Sequence, residues 1–209
     1  MEIEMKPMLM TALSIVSHWM IVALLSPAFV GIIAKVKALI AGKIGPSVFQ
    51  PYFDLAKLLR KKCVYSRSAT WVLRMSPAVS LAAILIVSLF VPLGALKAPV
   101  QFAGDVFLAA YLLAFVRFFM ISAALDTGSS FEGMGASREA FFACLSEIAF
   151  FMNLITLAFL AKSISLSQMI GAENPISWSV LGPSMLLVVF SFFIVLLADN
   201  CRIPVDDPD

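Results

Sequence analysis

Charge is scarce in this chain. Of 209 residues only 13% are Asp, Glu, Lys or Arg, while 61% are hydrophobic. Soluble domains carry about 25% charged residues, so the shortage points to an integral membrane protein. The net charge of +2 supplies no basic field for nucleic acid. There is one histidine, and the three cysteines, Cys63, Cys144 and Cys201, are far apart with no C-x-x-C pair. That argues against a metal or cluster held by this chain alone. No N-x-S/T acceptor occurs. The start, MEIEMKP, is acidic and opens onto a long apolar run, unlike the basic start and short core of a signal peptide. No internal repeat is visible, which weighs against an inverted-repeat transporter.

What the chain has in quantity is apolar length. Runs of about 20 residues suffice to cross a bilayer, and five are present, over 8–33, 77–96, 105–125, 140–161 and 178–198. The expected fold is all-α: a polytopic membrane helical bundle, one domain over 1–209, with five transmembrane helices and one amphipathic surface helix. Nine of the fifteen Lys and Arg residues lie between Lys35 and Arg74, so this side is assigned to the cytoplasm, with the N-terminus outside and Asp209 inside. Within it, Gly42, Gly45, Pro46 and Pro51 are expected to prevent regular structure, and a short helix to begin at Tyr52. There Phe53, Ala56 and Leu59, with Leu55 and Leu58 beside them, oppose Asp54, Lys57 and Lys61. Such a helix lies on the membrane surface, either as an anchor for anionic headgroups or as a platform for a soluble partner. In the first span Pro27 is expected to kink the helix, and His18 either relays protons or bonds a neighbouring helix.

The densest chemistry lies in Asp126–Glu147, DTGSSFEGMGASREAFFACLSE. GMGASR matches part of a dinucleotide fingerprint by letters only. It follows no strand, so nucleotide binding is rejected and the glycines are read as a tight turn. Glu147 sits inside the fourth apolar run and Arg117 near the middle of the third. Intramembrane charges are costly and mark function by default. Glu139, at the mouth of the fourth span, is about 12 Å from Glu147 along a helix and rotated from it by about 80°. Counted from the ends of their spans, Arg117 and Glu147 lie at similar depths, so an antiparallel pair of helices permits an ion pair. It would hold Glu147 charged, and its loss would favour the neutral form by desolvation. The chain stops abruptly in DNCRIPVDDPD, which suggests a truncated sequence.

Three blocks, GKIGPSVFQPYFDLAKLLRKK, LDTGSSFEGMGASREAFFACLSE and ADNCRIPVDDPD, resemble the membrane subunit of energy-converting nickel–iron hydrogenases. This is the family of formate hydrogenlyase subunit 4 and the hydrogenase 4 membrane subunit. It is homologous to subunit 1 of complex I, the membrane subunit at the quinone site of NADH:quinone oxidoreductase. The compact GPSVFQPYFDLAKLLRK block and R-I-P-V-D-D-P favour the hydrogenase branch over the GPNRVGP-type and R-x-P-F-D-L-P segments of complex I. The resemblance implies about eight spans, of which this chain carries five, and residence in a bacterial or archaeal cytoplasmic (inner) membrane. It implies a non-catalytic subunit that holds no cofactor itself. Iron–sulfur clusters and the nickel–iron centre belong to partner subunits. Those partners are the hydrogenase large and small subunits, a ferredoxin-like iron–sulfur subunit and antiporter-like membrane subunits.

By position, Glu139, Glu147, Arg117, Asp126 and Asp199 correspond to a proton relay, Asp199 standing where the family often has glutamate. Gly45, Pro46, Gln50, Pro51, Asp54, Lys57 and Arg60 correspond to the interface with the soluble arm. Three other readings stay open: a quinone-site subunit of a complex I-like enzyme, a passive anchor or nonfunctional fragment, and an independent transporter.

Overall fold

Polar punctuation, more than hydropathy, sets where the helices begin and end. The computed structural model describes residues 2–65, 68–93, 96–170 and 178–200, with side chains from Ala12 onward and, in the last helix, from Gly182. The elements are α1 (Glu2–Ile40), α2 (Gln50–Leu59), α3 (Trp71–Ser88), α4 (Asp105–Asp126), α5 (Ser130–Ala161), α6 (Leu166–Ile170) and α7 (Trp178–Asp199). Five stretches are long and apolar enough to cross a membrane: Ala12–Ile40, Trp71–Ser88, Asp105–Asp126, Ser130–Ala161 and Gly182–Asp199. The chain is an all-α, multi-pass helical bundle. Its helices form two units, Met1–Tyr65 and Ser66–Asp209.

In the first unit α1 runs through Pro27 and ends at Ile40, seven residues past the apolar run. Its end is a Schellman motif. Gly42 adopts φ +67°, its N–H donates to the Leu39 carbonyl, and the Lys43 N–H donates to the Ala38 carbonyl at 2.8 Å. The chain then returns along α1. A Cβ on Gly31 would stand 2.1 Å from the Val48 carbonyl oxygen, and one on Gly45 2.6 Å from the Ala38 Cβ, so both glycines permit the close approach. The surface helix α2 starts at Gln50, two residues earlier than expected. Pro51 sits in its first turn, where its missing N–H costs nothing, so this proline starts the helix and does not block it. The Tyr52 hydroxyl donates to the Leu24 carbonyl, tying α2 to α1. Asp54 accepts from the Gln50 side-chain amide. We expect Gly31→Ala to destabilise this unit by about 1–3 kcal/mol, because the methyl meets backbone that has no rotamer to change. Faster proteolysis within 42–49 would report it; unchanged protection would count against this packing.

In the second unit α3 and α4 form an antiparallel hairpin, and α5 packs on α4 and α7. The second span is Trp71–Ser88, not 77–96. Its start is set by Thr70, whose hydroxyl accepts from the Val72 N–H, and by Asp126. The Asp126 carboxylate takes the Thr70 hydroxyl at 2.7 Å and the N–H groups of Thr70 and Leu73 at 2.8 and 3.2 Å. A carboxylate there meets the positive end of the helix dipole. Pro77 is carried inside the helix.

The larger correction concerns the fourth span. The expected glycine-rich turn is helical. The chain turns at Gly128, φ +69°, and α5 starts at Ser130, ten residues before the expected start. Ser129 and Glu132 have capping-box spacing and the Ser129 hydroxyl donates to the Glu132 carboxylate. Gly133 and Gly135 face open space, so they are tolerated in the helix.

At the opposite end of α5 lies the apolar core: Val87, Phe90, Val106, Ala109, Ala110, Leu154, Ala161, Leu166 and Met169. Alanines at these contacts let helices approach closely, which in lipid is a main source of association. Asp105, fully buried, is set into this end. Its two carboxylate oxygens accept from the Leu166 N–H at 2.7 Å and the Ser165 hydroxyl at 2.9 Å. It thereby caps α6 from the first residue of α4.

Candidate functional site

The early start of α5 decides which groups meet Arg117. Arg117 lies eleven residues before Gly128 and Glu139 eleven after it, so across the turn these two are level. Glu147 is a further eight residues along, about 12 Å deeper. Seven-residue spacing returns to nearly the same face of a helix. Glu139, Ser146 and Asn153 therefore form one polar stripe on α5, and Glu147 is turned away from Glu139 by about 80° and from Ser146 by about 100°.

Side-chain contacts follow this stripe. The Arg117 guanidinium pairs with the Asp199 carboxylate of α7 at 2.9 Å and lies 3.7 Å from the Glu139 carboxylate. Its remaining nitrogen donates to the Ser146 hydroxyl at 3.4 Å. That hydroxyl reaches Asp199 at 2.6 Å. One α5 stripe position further, the Asn153 amide donates to the Ser191 hydroxyl of α7 at 2.9 Å. This second bond fixes the register of α7, so that Asp199 falls opposite Ser146. The ion pair with Glu147 that the sequence order permits is not formed: the partners of Arg117 are Asp199, Glu139 and Ser146.

Glu147 still belongs to the site. It lines a cavity of about 50 Å³ together with Arg117, Ser146, Asp199 and apolar residues including Phe150 and Phe151. A polar cavity needs only about 10–15 Å³ to hold a water, so water can link Glu147 to the Arg117 cluster. Arg117 keeps 20% of its side-chain surface, Glu139 30% and Asp199 32%. A partly desolvated cation with two carboxylates in reach and a third across a water-sized cavity is suited to charge redistribution and proton transfer.

The other sequence-derived candidates lie elsewhere. Asp126 is nine residues from Arg117 along α4, about 13 Å, and its oxygens are engaged at the start of α3. Gly45 and Pro46 belong to the segment that returns along α1. Gln50, Asp54, Lys57 and Arg60 are exposed on α2, where Lys57 and Arg60 share a shallow hollow with Phe53, Ala56 and Lys61. His18 is 2% exposed and its Nε2 has no hydrogen-bond partner among the described residues. Cys63 and Cys144 are exposed free thiols. Cys201, Arg202 and the acidic R-I-P-V-D-D-P end lie outside the described residues, as do Arg67 and Glu173. Ser146 and Asn153 are site residues that the sequence does not single out. Their signal is the seven-residue repeat from Glu139, which becomes legible once α5 is known to be continuous.

Residues 12–209 match the family described as NADH dehydrogenase. This chain belongs to the NADH dehydrogenase family. Within that family it is 34% identical over 159 residues to hydrogenase-4 component C of Escherichia coli (strain K12), covering 76% of this chain and 50% of the relative. It is 34% identical over 143 residues to formate hydrogenlyase subunit 4 of the same organism, 68% and 47% respectively. Against a subunit of the NADH-quinone oxidoreductase of Rubrobacter xylanophilus the identity is 27% over 191 residues, 84% and 55%. The chain thus spans about half the length of the curated relatives it matches. Its fold also matches a chain in the structure of the membrane-bound sulfane sulfur reductase, an archaeal respiratory membrane complex. There the TM-score is 0.79 and the identity 25%, over 90% of this chain and 62% of that one.

Proposed function

We propose that this chain is the membrane anchor and proton-coupling subunit of a membrane-bound, formate hydrogenlyase-like hydrogenase complex. The observation that carries the reading is the Arg117 cluster, in which one cation is shared between carboxylates on two helices beside a cavity that also reaches Glu147. The hydrogenase branch is favoured by the higher identity to hydrogenase-4 component C and formate hydrogenlyase subunit 4. In this reading electrons pass through iron–sulfur clusters to a nickel–iron centre, all in partner subunits. α2 and the segment before it, from Gly45 to Arg60, face the soluble arm, and the antiporter-like subunits receive the proton. The membrane is the bacterial or archaeal cytoplasmic one, with the Lys35–Arg74 side inward by its excess of cations.

The chemistry assigned to this chain is electrostatic. A change of charge at the arm shifts Arg117 between Asp199 and Glu139. The carboxylate it leaves loses the Arg117 charge and the one it joins gains it, so charge is redistributed between α5 and α7. Glu147, which pairs with no cation among the described residues, takes up or passes on the proton through the cavity.

Glu147→Gln keeps shape and removes the titrating group, and Glu147 makes no ion pair that folding would miss. Coupled proton movement in vesicles is therefore expected to fall at least about tenfold while chain abundance stays unchanged. Unaltered proton movement and hydrogenase activity would refute the role of Glu147. The second reading, a quinone-site subunit of a complex I-like oxidoreductase, is favoured by the match to the NADH-quinone oxidoreductase chain. Purification of the native complex separates the two. Nickel and iron with hydrogenase subunits support the first, and iron with flavin but no nickel supports the second.

A further inference from the structure

Ser146 has one hydroxyl proton and two acceptors. It is 6% exposed, and its oxygen lies 2.6 Å from the Asp199 carboxylate and 3.2 Å from the Ala143 carbonyl one turn back. The Asp199 oxygen it reaches is the one that Arg117 contacts at 2.9 Å, so two donors converge on a single carboxylate oxygen. Glu139, the competing carboxylate, stands 3.7 Å from the same guanidinium. Among the described residues, the ionisable groups facing this point are Arg117 from α4, Glu139 and Glu147 from α5, and Asp199 from α7. The one charge on the neighbouring α3 is Arg74, in its first turn.

We propose that the Ser146 hydroxyl is a positioning group that sets which carboxylate Arg117 holds. With its proton directed to Asp199 it draws that carboxylate onto the guanidinium and keeps the cation with α7. With its proton turned to the Ala143 carbonyl it releases Asp199, and the guanidinium passes to Glu139. The motion is a rotation of the hydroxyl hydrogen about the Cβ–Oγ bond, the oxygen staying within reach of both acceptors, and no covalent bond is made or broken. The consequence for proton movement rests on the coupling role proposed above; the pairing itself does not.

The test uses the native complex with Ser146→Ala, Ser146→Cys, which has a weaker donor of similar size, and Ser146→Thr, which keeps the hydroxyl. Infrared difference spectra of the carboxylate stretches, assigned with Glu139→Gln and Asp199→Asn, read the pairing directly. In Ser146→Ala the Glu139 and Asp199 carboxylate bands are both expected to shift, because the guanidinium has moved from Asp199 toward Glu139. Ser146→Cys is expected to shift them by less, and Ser146→Thr to restore them. The profile of coupled proton uptake against pH should move in the same order, and Ser146→Ala should add nothing once Asp199→Asn is present. An unmoved Glu139 band, or an equal shift with and without the Asp199 carboxylate, overturns the proposal. If Glu147→Gln leaves coupling intact, the coupling role fails, and the infrared bands still decide the role of Ser146.

Discussion

Arg117→Met is expected to lower coupled proton movement to background and to destabilise the bundle by about 2–3 kcal/mol. Removing one partner of a fully buried pair costs about 3–5 kcal/mol. The residual exposure of these side chains, 20% for Arg117 and 32% for Asp199, places this pair below that range. The cost comes from removing the Arg117 charge that both Asp199 and Glu139 face. Arg117→Met combined with Asp199→Leu should recover most of the stability and none of the proton movement. Thermal unfolding of the complex in detergent, set beside proton movement in vesicles, separates the two effects. A double variant with wild-type proton movement would reduce the cluster to helix-joining glue.

Asp105→Ala is the second large effect, and it is structural. The carboxylate is wholly buried and satisfies the Ser165 hydroxyl and the first N–H of α6. Truncation leaves both donors buried and unpaired, and each such group costs about 1–3 kcal/mol. We expect a loss of about 3 kcal/mol and release of α6. Asp105→Asn should retain most of the stability. Its amide oxygen can accept from Leu166, and the Ser165 hydroxyl can reverse to accept from its NH₂. Hydrogen exchange at 163–170 would check the order Asp, Asn, Ala. Equal protection in all three would show that α6 is held by Met169 and Leu166 packing alone.

Both sites show how far letters alone lead. Arg117 is visible in the sequence because charge in an apolar run is expensive wherever the helices pack; Glu139 stands at the mouth of such a run, and Asp199 enters through the family resemblance. Their pairing was not visible, because it depends on where α5 begins. GSSFEGMGAS reads as a turn by its glycines and as a helix start by Ser129 and Glu132. The helix start prevails: the Ser129 hydroxyl is tied to the Glu132 carboxylate across the first turn, and Gly133 and Gly135 cost the helix only about 1 kcal/mol each. A start ten residues earlier moves Glu139, not Glu147, level with Arg117. Asp105 is inconspicuous for a different reason. At the end of an apolar run it looks like an ordinary interfacial charge, and only the return of the chain at Ser165 buries it.

The sequence by itself determined the class of molecule: five apolar lengths and a surface helix, with charges inside the membrane that must face protein or water. Those follow from transfer free energies, which depend on composition and length and hardly on neighbours. The tertiary structure alone decided that Asp199, fifty-two residues beyond Glu147, is the carboxylate Arg117 holds, and that Ser146 stands between them. Helix rotation and register are set by side-chain packing and by bonds such as Asn153 to Ser191, and no local pattern in the chain carries that information.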